Sequence, residues 1–364
     1  MQQLKAAALA VAVLGCETAA GEREFESRSP IVYGSDDRRE YFETSDATLR
    51  ALTEEVTVAL MKRSTIQRGA DGYARIDAPS WRDQASLCQG ERFAEEPAAA
   101  ICTGTLVTDD LVLTAGHCLD AVPCSDLVAV FGYYYVAPGE LRRIPNSDVV
   151  DCATVVAKHV DLPSSDVQVD YVWFQTATRR SRQAVAAVDV QPGAVPEGTA
   201  VQTISFGGGI PAKIDSGGHV ADARDDVLDY FTSNLDAFHG GSGAAVYDSA
   251  LHLLGVLDRG GADLVRTDDG CYRTNQEIDA PESAREQATY AFRALTGLCE
   301  SDHPDPQLCG DQVPSRGRGC SIGGWTAGGW PSAFAGVALV LVARWRGNRI
   351  VSHRKRNTRT QASR

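Results

Sequence analysis

The sequence predicts an all-β protein, a barrel or a sandwich, and three observations carry that prediction. Short β-branched and aromatic runs recur along the middle of the chain, separated by Gly, Pro and Asp. These runs do not alternate with helix-length periodic segments, which argues against βα units and a parallel sheet. Ten cysteines occur with no Cys-x-x-Cys pair of zinc-ligand spacing, so disulfides in an oxidising compartment are the expected use.

Taken in order, the body of the chain opens with Asp46, placed to cap a short helix over Ala47–Glu55. Val56–Leu60 reads as a strand. Leu106-Val107 and Leu111–Leu113 are apolar runs, and Leu127–Phe131, Ala153–Val156, Tyr171–Phe174, Ala184–Val190, Ala200–Phe206, Gly243–Val246 and Leu251–Leu257 follow as strands. Gly207–Gly209 leads into neither a helix start nor a Lys-Ser/Thr pair, so it is a loop and not a phosphate cradle. Ala284–Thr296 has helical character and is expected to close the domain. The chain of 364 residues has room for one large or two ordinary domains with appendages, and no internal repeat is visible.

The two ends differ from the body. Lys5 followed by the mostly apolar Ala6–Gly15 reads as a signal segment, 1–15, and 16–30 as a linker. Val13-Leu14-Gly15-Cys16 resembles a bacterial lipobox, which makes Cys16 a lipidation candidate. Residues 301–322, with three prolines, read as a stalk. Residues 323–343 are uncharged and apolar enough to span a bilayer as a helix, and Arg344, Arg346 and Arg349 follow at once. The tail 344–364 is expected to stay cytoplasmic. The Gly319-Cys320-Ser321 start, the apolar run and the arginine end resemble the C-terminal sorting segments of myxobacterial surface proteins, which makes Cys320 a candidate anchoring point. Net charge is −13, but eight Lys or Arg of the tail offset a body at −21, which argues against nucleic acid as a partner.

Two segments carry chemistry. Thr114-Ala115-Gly116-His117-Cys118 puts a histidine at the end of an apolar run, and Cys102 stands sixteen residues before Cys118, so a Cys102–Cys118 pair would brace the mount of a general base. Phe238-His239-Gly240-Gly241-Ser242-Gly243 puts a serine among glycines. There its hydroxyl can stand exposed on a tight turn and neighbouring N–H groups can converge on an oxyanion. The base needs an orienting acid. Asp170 opens an apolar strand and is favoured over Asp166, which lies four residues earlier in a Pro-Ser-rich turn.

The order His117, Asp170, Ser242 and the sequences around them resemble the chymotrypsin-like serine proteases, and the Cys102–Cys118 pair matches that family's histidine-loop disulfide. The likeness spans 31–300 and is nearest to the bacterial trypsin-like branch that includes the staphylococcal glutamyl endopeptidase. It implies two antiparallel β-barrels with a C-terminal helix and a triad in the cleft between the barrels. It further implies an oxyanion hole formed by the N–H groups of Gly240 and Ser242.

Gly241 stands where trypsin has Asp and the glutamyl enzymes Asn. Ile31-Val32-Tyr33-Gly34 looks like an activated N-terminus, yet Pro30 precedes it and Gly241 offers no carboxylate, so no trypsinogen-type switch is expected. Asp236, six residues before the serine, aligns with the floor of the primary pocket; either it selects a basic side chain or it caps a loop or pairs with Arg259, which aligns with the pocket wall. Asp222, Asp225, Asp226 and Asp229 are expected to be a solvated face and not a calcium site.

The expected function is a secreted, membrane-anchored serine endopeptidase of the cell envelope, acting as a monomer on protein or peptide substrates, with no metal and no cofactor. The alternative is a weak or inactive protease-fold binding module, for which Gly241 speaks. An esterase of the α/β-hydrolase kind is disfavoured by the β-rich pattern and the missing strand-to-helix elbow.

Overall fold

The computed structural model describes residues 31–180, 187–188, 193–277 and 286–310. The expected signal segment, the linker, Cys16, Cys320, the apolar segment 323–343 and the basic tail lie outside those residues. Among the described residues no helix is long and apolar enough to cross a membrane.

An N-terminal strap comes first, with strands β1 (Val32–Tyr33) and β2 (Arg39–Glu40). Helix α1 (Ala47–Glu55) starts where the sequence places it, because the Asp46 carboxylate accepts the N–H groups of Thr48 and Leu49 at 2.8 and 3.1 Å. Its Leu49 and Leu52 face turns to the first barrel core.

The first barrel is built from β3 (Thr57–Lys62), β4 (Ala100–Leu106), β5 (Leu111–Thr114), β6 (Leu127–Phe131), β7 (Val149–Val160) and β8 (Asp170–Thr176). The sheet closes in the order β7–β8–β5–β4–β3–β6, antiparallel throughout. All five residues of Leu127–Phe131 are buried, so this strand reads as an unbroken apolar run with no alternation. Two short helices lie between strands, α2 (Trp81–Ala85) and α3 (Cys118–Ala121).

The second barrel uses β9 (Ala200–Ser205), β10 (Lys213–Asp222), β11 (Tyr230–Ser233), β12 (Ala245–Asp248) and β13 (His252–Arg259). After β14 (Gln276–Glu277), which pairs in parallel with β1, comes β15 (Glu286–Tyr290). Six strands close in the order β13–β12–β9–β10–β11–β15 and back to β13. Phe231, Leu235, Val246, Leu257 and Tyr290 pack inside it. Of the strand expected over Ala184–Val190, Ala187–Val188 is a short strand beside β13, and the rest falls outside the described residues.

The helix expected over Ala284–Thr296 is corrected at its start. Glu286–Tyr290 is strand, because it closes the barrel with a neighbour on each edge, and that pairing outweighs the helix preference of Glu, Gln and Ala. The helix itself, α4, is Ala291–Cys299, and Trp173 of the first barrel donates its indole N–H to the Ala294 carbonyl at 2.8 Å. The chain then makes one more turn, α5 (Pro306–Cys309), capped by Asp305 and tied back by Cys299–Cys309. The first ten residues of the expected stalk thus fold against the domain.

Eight cysteines form four disulfides: Cys88–Cys271, Cys102–Cys118, Cys124–Cys152 and Cys299–Cys309. The expected Cys102–Cys118 pair is among them. Cys88–Cys271 joins the α2 segment to the hairpin of Leu264–Arg266 and Tyr272–Thr274.

Candidate active site

His117 stands where the end of β5 turns into α3. Strand β8 lies beside β5 with Val172 opposite Thr114, which brings the head of β8 to that turn. Asp170, the first residue of β8, is 1% exposed. Its Oδ1 accepts the N–H groups of Gly116 and His117 at 2.5 and 3.1 Å, and its Oδ2 lies 2.9 Å from His117 Nδ1. A carboxylate only accepts, so the ring proton sits on Nδ1 and Nε2 keeps its lone pair. Asp166 lies exposed in its turn. The histidine therefore meets Asp170 and not the rival acid, and the Cys102–Cys118 disulfide fastens α3 to β4 beneath it.

The serine turn is held from several directions. Thr103 donates its N–H to the Ser242 carbonyl at 2.8 Å and its hydroxyl to the Gly240 carbonyl at 2.9 Å. Gly208 N–H meets the His239 carbonyl at 2.7 Å, and Ala244 N–H meets that of Gly241 at 2.9 Å. Every carbonyl from His239 to Ser242 is thus engaged. Among the hydrogen bonds of the described residues, neither Gly240 N–H nor Ser242 N–H donates to a protein acceptor. Gly240 and Gly243 have φ of +99° and +87°. A Cβ on Gly243 would fall 1.9 Å from Thr114 Oγ1, so the turn lies directly against the first barrel. Gly241 N–H donates to the Phe238 carbonyl at 2.7 Å, a backbone bond that braces the turn in the absence of an Asp or Asn side chain.

His117 and Ser242 line one cavity of about 180 Å³, walled further by Ile31, Leu257, Gly260 and Glu286. Asp236 is not among its lining residues. The carboxylate of Asp236 is 3% exposed and holds the strap, accepting Tyr33 N–H at 3.1 Å and Asp37 N–H at 3.2 Å. Burial, with the nearby Asp215 carboxyl, pushes Asp236 up to about 8. Of the alternatives left open for Asp236, the loop cap matches these contacts and the pairing with Arg259 does not. Arg259 turns away and donates to the Asp161 carbonyl at 2.9 Å and to Gln168 Oε1 at 3.2 Å, with Nη2 at 3.8 Å from Asp170 Oδ2.

Ile31 is 1% exposed and packs with Trp81, Ile210 and Phe238. Its N–H donates to the Asn275 carbonyl at 3.0 Å, so it meets a peptide carbonyl and not a carboxylate. Of the four acids weighed as a cation site, Asp229 is buried. Its carboxylate is taken by the Arg224 guanidinium at 2.9 and 3.1 Å and by the N–H groups of Gln168 and Tyr230.

Several neighbours of the site escaped the sequence reading. Thr289 accepts the Asp170 N–H at 3.0 Å and gives its own hydroxyl to Asp258, linking β15 to the head of β8. Asp258 lines the cavity, and its Oδ1 is buried with no hydrogen-bond partner. Burial pushes its carboxyl well above the usual range, and the Asp170 charge adds to this against the Thr289 bond. An acid inside an apolar strand is the same signal that singled out Asp170, so Asp258 could have been found. Glu286 sat in a segment that read as helix, and nothing local marked it.

Two six-stranded antiparallel barrels with a histidine–aspartate pair and a serine on one cavity define a chymotrypsin-like peptidase architecture. Residues 102–256 match the Trypsin-like peptidase domain family. Over those residues the chain resembles the chymotrypsin/trypsin-like serine proteases. No curated protein matches it. Solved structures that are similar include the Vibrio cholerae VesB protease, at 15% identity over 69% of this chain with a TM-score of 0.40. A Glu endopeptidase is similar at 15% identity, with 72% of this chain and 94% of that chain covered and a TM-score of 0.38. The chain spans 64% of the length of the VesB protease chain.

Proposed function

We propose that the protein is a serine endopeptidase that cleaves peptide bonds through an acyl-enzyme on Ser242. His117 Nε2 takes the Ser242 proton as Oγ attacks the scissile carbonyl, and later returns it to the leaving amine. Asp170 fixes the imidazole tautomer and stabilises the imidazolium. The Gly240 and Ser242 N–H groups receive the oxyanion. Water, activated by the same histidine, then releases the acyl group and restores the serine. One observation carries the reading: a buried carboxylate grips both the backbone and the ring of His117, on a cavity that His117 shares with Ser242.

The setting proposed is the cell envelope. The apolar segment after Lys5 supports export, and 323–343 with its basic flank supports anchoring, with lipid attachment at Cys16 or Cys320 as further modes. The protein acts there as a monomer on protein or peptide substrates. A fluorophosphonate probe tests the reading. Labelling is expected on Ser242, absent in Ser242→Ala and slowed in Asp170→Asn. Folded protein that takes no label on Ser242 would overturn it in favour of a binding module.

A further inference from the structure

We propose that Lys62 is a specificity-determining residue, and that it selects a side-chain carboxylate, aspartate or glutamate, on the leaving side of the scissile bond. This rests on the serine-peptidase reading above and adds a substrate class to it.

In that reading the acyl part of the substrate stays bonded to Ser242, and the departing amine takes its proton from His117. The acyl part therefore lies with the cavity that Ser242 lines. Beside the Cys102–Cys118 disulfide a second cavity opens from His117, of about 370 Å³, and Ser242 is not among its lining residues. Trp81 of α2, Ile101 of β4, Val122 and Leu264 give it apolar walls. Cys88–Cys271 ties the α2 segment to the hairpin that carries Leu264, so these walls are fastened to each other. The leaving peptide is the occupant that fits, because its amine must be within reach of His117 and this cavity begins there. Lys62 stands where the second cavity meets a third, also of about 370 Å³, since Lys62, Ala121 and Val122 line both.

Lys62 ends β3. The five residues before it are buried and it is exposed. Among the described residues no hydrogen bond or ion pair engages its ammonium. The neighbouring charges are otherwise committed. Arg63 donates to the Ser125 carbonyl at 3.2 Å and pairs with Asp151 at 2.5 Å. Asp120 of α3 is taken by Lys158. Asp126, on the wall of the third cavity, makes no described ion pair with Lys62. Asp263, on the wall of the second, accepts the His239 N–H at 2.8 Å. An uncommitted cation beside apolar walls attracts a carboxylate of the passing peptide, gives a carboxamide nothing of the kind and repels a lysine. The acidic body around it makes that cation the exception on this surface.

Acyl transfer reads the leaving side alone. A peptide ester acylates Ser242, and the dipeptide amides of Leu-Glu, Leu-Gln and Leu-Lys each compete with water for the acyl group. The amine nitrogen bonds to the acyl carbon, its proton passes through His117 to Ser242 Oγ, and the serine ester bond breaks. The Leu-Glu amide is expected to capture the acyl group about threefold more often than the Leu-Gln amide, and the Leu-Lys amide less often than either. Raising the salt should shrink the gap. Lys62→Gln should abolish it, and Lys62→Glu should turn it in favour of the Leu-Lys amide. Equal capture of the Leu-Glu and Leu-Gln amides by the unaltered chain overturns the proposal without any variant, so a misfolded variant does not shelter it. A preference for Leu-Glu that survives in Lys62→Gln but vanishes in Arg63→Gln also overturns it. If Ser242 takes no fluorophosphonate label and no ester turns over, the peptidase reading fails instead. Saturation-transfer NMR of the same three amides with the full chain carrying Ser242→Ala then still reports on the cavity, and equal signals for Leu-Glu and Leu-Gln there count against Lys62.

Discussion

Replacing Asp170 by Asn separates the orienting role of the acid from its bulk. Two N–H groups, of Gly116 and His117, converge on Oδ1, and the ring nitrogen approaches Oδ2 at 2.9 Å. A carboxamide has one acceptor. Keeping the two backbone bonds commits the carbonyl oxygen to the Oδ1 place and turns the NH₂ toward His117 Nδ1. Donor then faces donor unless the ring moves its proton to Nε2, and in that tautomer Nε2 has no lone pair for the Ser242 proton. The expected loss in kcat is about 10⁴-fold, or about 5.4 kcal/mol of activation free energy. Stability should fall by only about 1–2 kcal/mol, since the two backbone donors exchange a charged acceptor for a neutral one. The assay is single-site turnover of a peptide ester, with active sites counted by fluorophosphonate labelling in the wild type and folding followed by thermal melts. Asp166→Asn is the companion variant and should keep its rate within about twofold. Retention of activity within tenfold by a folded Asp170→Asn protein, or a collapse in Asp166→Asn, would refute the reasoning.

Other outcomes follow from the same geometry. Gly243→Ala should destabilise by about 2–4 kcal/mol in a denaturant titration, because its Cβ would strike Thr114 Oγ1 and Thr103 O at a positive φ. Removing Cys88–Cys271 as a double alanine variant frees a loop of 183 residues and should cost up to about 5 kcal/mol, read as a lowered unfolding midpoint. The Asp236 and Asp215 carboxyls are raised to about 8 and about 7, so their contribution to stability is full at acid pH and is lost as pH rises through those values. Melting temperature should therefore fall as pH rises from about 4 to about 8 and level off above that, and Asp236→Asn should flatten the curve. Protein with an uncut Pro30–Ile31 bond should hydrolyse substrate; mass spectrometry on the active fraction checks this.

Local signals made much of the site legible. The helix cap at Asp46, the strand Leu127–Phe131 and the Cys102–Cys118 brace each depend on residues close in sequence, and each stands where the sequence put it. Asp170, and not Asp166, meets His117 because an acid leading into an apolar run is buried, and a buried acid needs donors. The role of Asp236 stayed open between pocket floor, loop cap and partner of Arg259 for the opposite reason. Their partners, Tyr33 and Asp161, lie 203 and 98 residues away, and no local pattern announces such contacts. Glu286 was hidden by its neighbours, since Glu, Gln and Ala favour helix until barrel closure makes them strand.

The strap has a consequence for when the molecule can work. Tyr33 and Val32 belong to the earliest described residues, yet they dock on Glu277, Gln276 and the Glu286 carboxyl, across up to 253 residues of chain. Contacts of that separation place the loop-closure cost ahead of the gain, and they form late. The first barrel has all six strands by Thr176 and can assemble early. The cavity beside Ser242 has no back wall until β15 and the strap meet. A chain stopped short of Glu286 would carry His117, Asp170 and Ser242 and still lack the space in which to use them. Completion of the polypeptide is in this sense the event that makes the cavity.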